Sequence, residues 1–204
     1  MPRTQLVRQL ILIVTMAMLG ACATTSPGSS SVIKTMRSIE GTDPFSNVLV
    51  ISAAGDRSSR AQFEQEMSAA ISNGETLATA FFAVVGRYPT ISRTALSDAI
   101  RVREFDAILI VRRQGQERPE LVPNRPTGRH FDLFHYDYEE LNDLTSIRNA
   151  ASLAFVVELY DTNSEEKIWS IDSLVFESES LAAGLSMQVE VIVGELRKDR
   201  LVNR

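Results

Sequence analysis

The feature that most constrains the fold is an order of segments. Two short β-branched apolar runs, NVLVIS at 47–52 and DAILIVRR at 106–113, enclose amphipathic helical patterns. Apolar runs of this length, without strict alternation, read as strands buried on both faces. The loop AAGDRSS after the first run leads into a helix, with Ser59 and Gln62 as a capping box and Phe63, Met67, Ala70 and Ile71 on one face. Asn73 and Gly74 close that helix as a C-cap pair. Residues 76–85, TLATAFFAVV, follow a short helix and precede Pro89, a position that favours a second strand. Ser92 caps a second helix running to about residue 102, with Leu96, Ala99 and Ile100 turned inward. A β-α-β-α-β order predicts at least partly parallel strands with helices packed on the sheet.

Two further strands are expected at 153–160 and 166–176, and the turn-rich DTNSE between them makes a hairpin. Leu185, Val189, Ile192 and Leu196 form the apolar stripe of a C-terminal helix beginning near 181. The expected fold is therefore a single α/β domain: a mixed sheet, β-α-β-α-β followed by a β-hairpin, with packed helices and a C-terminal helix. No internal repeat is present.

The first residues follow another logic. Arg3 and Arg8 precede an apolar stretch at 10–19, and small residues then lead to Cys22. That is the order of a secretory leader, and the stretch is shorter than the roughly 18 to 20 apolar residues a spanning helix requires. The run Leu19, Gly20, Ala21, Cys22 resembles the bacterial lipobox. The resemblance implies cleavage between Ala21 and Cys22, lipidation of the Cys22 thiol and acylation of its new amine. One acyl chain binds a membrane only marginally, whereas several hold a protein there almost permanently. Ala23 stands where an aspartate would favour inner-membrane retention, which points by analogy to the outer membrane. The expected organisation is a leader at 1–21, the lipidated cysteine and a flexible tether at 22–44, and a periplasmic α/β domain at 45–204 with an insert at 114–149. The tether is most evident in ATTSPGSSS at 23–31, which is too small and polar to order itself.

The chain carries a net charge of −5, and the leader contains Arg3 and Arg8 but no acid. The acidic balance argues against a nucleic-acid partner, which needs clustered cations. Cys22 is the only cysteine, so neither an intrachain disulfide nor a thiolate metal site can form, and the domain must stand on its apolar core.

Residue types suited to chemistry are sparse. The insert holds Pro119, Pro123 and Pro126 and then a dense group, Phe131, Phe134, Tyr136 and Tyr138. Disordered segments are poor in aromatics, so this group is expected to cover a sheet edge or to bind a partner. His130, Asp132, His135 and Asp137 are metal-ligand types, but their spacing matches no familiar site and places the pairs on opposite faces of an extended segment. No metal and no cofactor is expected. Gly55, Arg57, Ser58 and Ser59, at a strand-to-helix junction, are candidate anion-binding residues. Without a GxGxxG fingerprint or a P-loop lysine, a plain capped turn is the simpler expectation there. The chain lacks a GxSxG elbow, an SxxK pair and an HExxH helix, so no enzyme is expected.

The stretches FDAILIVRR, FVVELYDTNSEEKIWSIDSLVF and RAQFEQEMSAAISNGETLATAFFAV resemble the α/β domain shared by the curli-secretion lipoprotein, the penicillin-binding-protein activator lipoproteins and the amino-terminal part of the Tol-system propeller protein. In that resemblance Asp161 and Trp169 flank the hairpin turn. The long insert and the pair Arg112 and Arg113 depart from the group's pattern, and no functional residue carries over. The expected function is an outer-membrane-anchored periplasmic lipoprotein that binds or helps assemble another envelope component, a protein, without catalysis. The alternative is a lipoprotein that binds a small molecule or a glycan.

Overall fold

A computed structural model of the chain describes residues 29–36, 43–86, 90–114, 152–176 and 178–203. Their elements are β1 (Ser29–Met36), β2 (Asn47–Ser52), α1 (Arg57–Ile71), β3 (Leu77–Ala80), α2 (Phe81–Val85), α3 (Arg93–Arg103), β4 (Ala107–Arg113), β5 (Ser152–Asp161), β6 (Lys167–Phe176) and α4 (Leu181–Lys198). The six strands form one mixed sheet in the order β1-β6-β5-β4-β2-β3. β2 lies parallel to β3 on one side and to β4 on the other, while β4, β5, β6 and β1 are antiparallel in turn. The single mixed α/β domain expected from the segment order is thus the observed one.

Alternation along the strands divides the core in two. Val48 and Val50 of β2, Leu109 and Val111 of β4, and Phe155 and Val157 of β5 meet α1 and α4. α1 buries Phe63, Met67 and Ile71 there, and α4 buries Leu185, Val189, Ile192 and Leu196. Phe63 meets Phe155 edge to face, with ring centroids 5.6 Å apart. Leu49 and Ile51 of β2 and Ile108 and Ile110 of β4 face the other way and pack with Phe81 of α2 and Leu96 and Ala99 of α3. Both faces of β2 and β4 are covered, which is why their sequences read as continuous apolar runs.

The structure revises several expectations. Ser29–Met36, read as part of the tether at 22–44, is an edge strand paired antiparallel to β6, from Ser29 opposite Phe176 to Lys34 opposite Ile171. Small polar residues are tolerated there because an edge strand needs one backbone partner and little side-chain burial. α1 is capped by Asp56, whose carboxylate accepts the Ser59 amide at 2.9 Å, and Ser59 is not the cap. Its last turn closes at Ser72, and Gly74 is not in the left-handed region. Asn73 instead accepts the Glu75 and Thr76 amides with its side chain, a local turn that leads into β3.

The stretch 76–85 is a four-residue strand and then a five-residue helix, ended by Gly86 at φ 104°. Ser92 caps α3, as expected, by accepting the Ala95 amide. After α4 the chain doubles back: Val202 bridges Phe45, and the Phe45 amide donates to the Leu201 carbonyl at 2.9 Å. Among the described residues no helix is long and apolar enough to cross a membrane.

Candidate functional site

The loop of residues 53–56 sits at the carboxyl end of β2, where β3 on one side and β4 on the other send the chain onward. In open α/β sheets this switch of strand order is where ligands are commonly held. The loop is tied to β4 by the Ala53 amide donating to the Val111 carbonyl at 2.7 Å. Gly55 is buried and takes φ 87°, a conformation that favours glycine. Beneath the loop, the buried Arg60 folds back and donates to the Gly55 carbonyl at 2.9 Å and the Ala53 carbonyl at 3.0 Å.

Of the four residues named as anion candidates, Arg57 and Ser58 are exposed, Ser59 is half-buried and Gly55 is buried. They do adjoin one another at the start of α1. The helix N-terminus they surround is already served by a carboxylate: the Ser59 amide, with Ser58 and the charge of Arg60, holds Asp56 below the usual aspartate range. That arrangement is the capped turn rather than an open cradle for an external anion. Cys22, Ala21, the aromatic group Phe131, Phe134, Tyr136 and Tyr138, and the set His130, Asp132, His135 and Asp137 lie outside the described residues.

A residue that sequence reasoning passed over organises this end of the sheet. Glu64, one turn beyond Arg60 on α1, is 3 % exposed. Its Oε1 accepts the Ser52 amide at 2.9 Å and its Oε2 accepts the Phe82 amide at 3.1 Å. One carboxylate therefore ties the last residue of β2 to the first turn of α2. It also explains why 76–85 breaks into strand and helix, because Glu64 supplies the acceptor that α2 lacks at its own cap, Ala80. Burial pushes the Glu64 carboxyl up to about 7, against the opposing pull of the backbone amides and Arg60. A perturbed acid of this kind can mark a catalytic site, but both oxygens here are committed to backbone donors. Its neighbour Phe63 carries the apolar stripe, so the signal in the sequence was an acid beside that stripe, one helical turn after Arg60.

This shift has a consequence for stability. A carboxyl that is harder to ionise in the folded chain than at its ordinary 4.5 favours folding most when protonated. Stability is therefore expected to fall as pH rises from about 4.5 to about 7, by at most roughly 3 kcal/mol, and then to level off. Urea melts across that interval check the sign; a contribution that grows with pH would contradict it.

A second charged group crosses the sheet. Glu158 on β5, 1 % exposed, pairs with Lys167 on β6 at 3.0 Å and with Arg112 on β4 at 3.5 Å. The departure noted at Arg112 thus has a structural counterpart in an acid placed within an otherwise apolar strand. At the far end, Asp199 accepts from the Trp169 indole at 2.9 Å and from Lys34 at 2.7 Å, and Lys34 also pairs with Glu195 at 2.9 Å. These contacts pin β1, β6 and α4 together. Among the described residues no group of three His, Cys, Asp or Glu could hold a metal ion.

No protein-family model matches the chain, and no curated protein does. Among solved structures it is similar to a PelC dodecamer variant from Paraburkholderia phytofirmans at 11% identity and a TM-score of 0.45, covering 86% of this chain and 99% of that one. A second PelC dodecamer from the same organism is 12% identical with a TM-score of 0.42, covering 86% of this chain and 100% of that one. These figures assign the chain to no family.

Proposed function

We propose that this protein is an outer-membrane lipoprotein, anchored through Cys22, whose periplasmic α/β domain binds another envelope component without catalysis. The observation that carries the reading is the leader: Arg3 and Arg8, the apolar stretch 10–19, and the run Leu19, Gly20, Ala21, Cys22. The resemblance to the curli-secretion, penicillin-binding-protein-activator and Tol amino-terminal domains supports an envelope role. Phe131, Phe134, Tyr136 and Tyr138 are the contact residues in this proposal. The commitment of Glu64 and Glu158 to structural partners favours binding over acid–base chemistry. The capped start of α1 weighs against the alternative of a small anionic ligand at Gly55.

Fractionation of cells labelled with palmitate tests the reading. Wild type is expected in the outer-membrane fraction with label, and Cys22→Ser to remain unprocessed and lose the label completely. A processed, globomycin-sensitive membrane species from Cys22→Ser would overturn the anchor. In-cell crosslinking of wild type beside a variant lacking residues 128–142 tests the binding role: a discrete envelope protein lost on deletion supports it, and its absence from both samples counts against it.

A further inference from the structure

The strand that tertiary structure added at the start of the domain sets how the domain stands on its anchor. Ser29 begins β1 opposite Phe176, the last residue of β6. Phe176 also faces Ser152, the first residue of β5, and Phe155 of β5 faces Arg113 near the end of β4. Ser52, the last residue of β2, is registered with Val111 of β4. The edge at which the chain enters the sheet is therefore the edge where the parallel strands end, where the 53–56 loop sits and where α1 and α4 begin. The β5–β6 turn, with Asn163 exposed at its tip, lies at the opposite end.

Cys22 precedes Ser29 by seven residues. A fully extended chain gains at most about 3.3 to 3.6 Å per residue, so Ser29 stands no more than about 25 Å from the anchored cysteine. β5, with ten residues, runs about 30 Å from one end of the sheet to the other. An inverted domain, with the hairpin turn on the lipid, would lift Ser29 about 30 Å above the surface, beyond what the tether spans.

We infer that the domain is held with the carboxyl ends of β2 and β4, and the starts of α1 and α4, toward the lipid surface, and with the β5–β6 turn directed away from it. The inference rests on the lipoprotein reading and deepens it by naming the face that the membrane confronts. The 53–56 loop, and the edge at which the chain leaves β4 and rejoins β5 around the 114–149 insert, then face a partner at the membrane, while the hairpin end is open to the periplasm. The reach of an ordered edge strand sets this polarity, and no special affinity of the domain for lipid is required.

The test is energy transfer from single fluorophores to acceptor-labelled phospholipid, with the purified full-length lipoprotein reconstituted in phosphatidylethanolamine–phosphatidylglycerol vesicles. Ser58→Cys and Asn163→Cys place the labels at exposed positions at the two ends. Lipidated Cys22 carries no free thiol and does not compete for the dye. The Ser58→Cys label is expected to transfer several-fold more efficiently than the Asn163→Cys label. About twenty Gly/Ser residues inserted after Gly28 should bring the two efficiencies together. Equal or reversed efficiencies with the native tether would overturn the orientation, and a difference that survived the insertion would refute the tether as its cause. Failure of the protein to join vesicles at all would instead refute the lipoprotein reading beneath it, and is recognised by flotation before any transfer is measured.

Discussion

Glu64→Ala is expected to destabilise the domain by about 3 kcal/mol at pH 5, because one buried and one half-buried backbone amide lose this acceptor, and a buried orphan costs roughly 1 to 3 kcal/mol. The amides are those of Ser52 and Phe82, which Glu64 accepts at 2.9 and 3.1 Å. The loss should shrink as pH rises through 7, since above that value the wild-type chain holds an ionised carboxylate in an apolar setting and the variant does not. Urea melts of both proteins at pH 5 and pH 8 therefore give two results from one substitution. A loss that was small at pH 5, or that grew with pH, would show that Glu64 is not the tie between β2 and α2. Glu64→Gln keeps one acceptor but sets an amide donor against the other N–H, so an intermediate loss is expected.

Trp169→Ala is expected to cost about 3 to 5 kcal/mol, the range for truncating a fully buried large aromatic. Trp169 has no exposed surface, stands opposite Leu159 on β5 and belongs to the core shared with α1 and α4. Its indole N–H also donates to Asp199 at 2.9 Å, so the truncation frees one of the contacts that hold α4 to the sheet. For a domain of this size the loss corresponds to a fall in Tm of about 10 °C or more, read by far-UV circular dichroism. Because Trp169 is the only tryptophan, fluorescence serves for the wild type alone. Asp199→Asn leaves the ring in place while weakening the indole hydrogen bond and the Lys34 ion pair together, and a drop of about 1 kcal/mol is expected. A Trp169→Ala loss no larger than that of Asp199→Asn would mean that the polar contacts of Asp199, and not the packed ring, are what the core needs.

The elements that were legible before the structure are those whose side chains report their surroundings directly. Both faces of β2 and β4 are buried, so their residues are apolar throughout, and the stripe of Leu185, Val189, Ile192 and Leu196 marks the face of α4 that meets the sheet. Ser92 was readable as a cap because a cap acts three residues away. Local chemistry was also where reading failed by small steps: Asp56 and Ser59 are both good N-cap residues three positions apart, and only the backbone decides which of them stands outside the helix.

By itself the sequence determined the α/β class, the parallel β-α-β-α-β start, the hairpin and the terminal helix, because periodicity is a property of neighbours along one chain. The leader and the Cys22 anchor that we propose rest on residue order alone. Tertiary structure decided what depends on distant partners. Ser29–Met36 is a strand because β6 offers an open edge; 76–85 divides at Ala80 because Glu64, far back on α1, caps the helix that follows; and Glu158 is buried because Arg112 and Lys167 meet it from the strands on either side. Each of these costs is met by a group remote in sequence, and no local pattern records which remote group will be there.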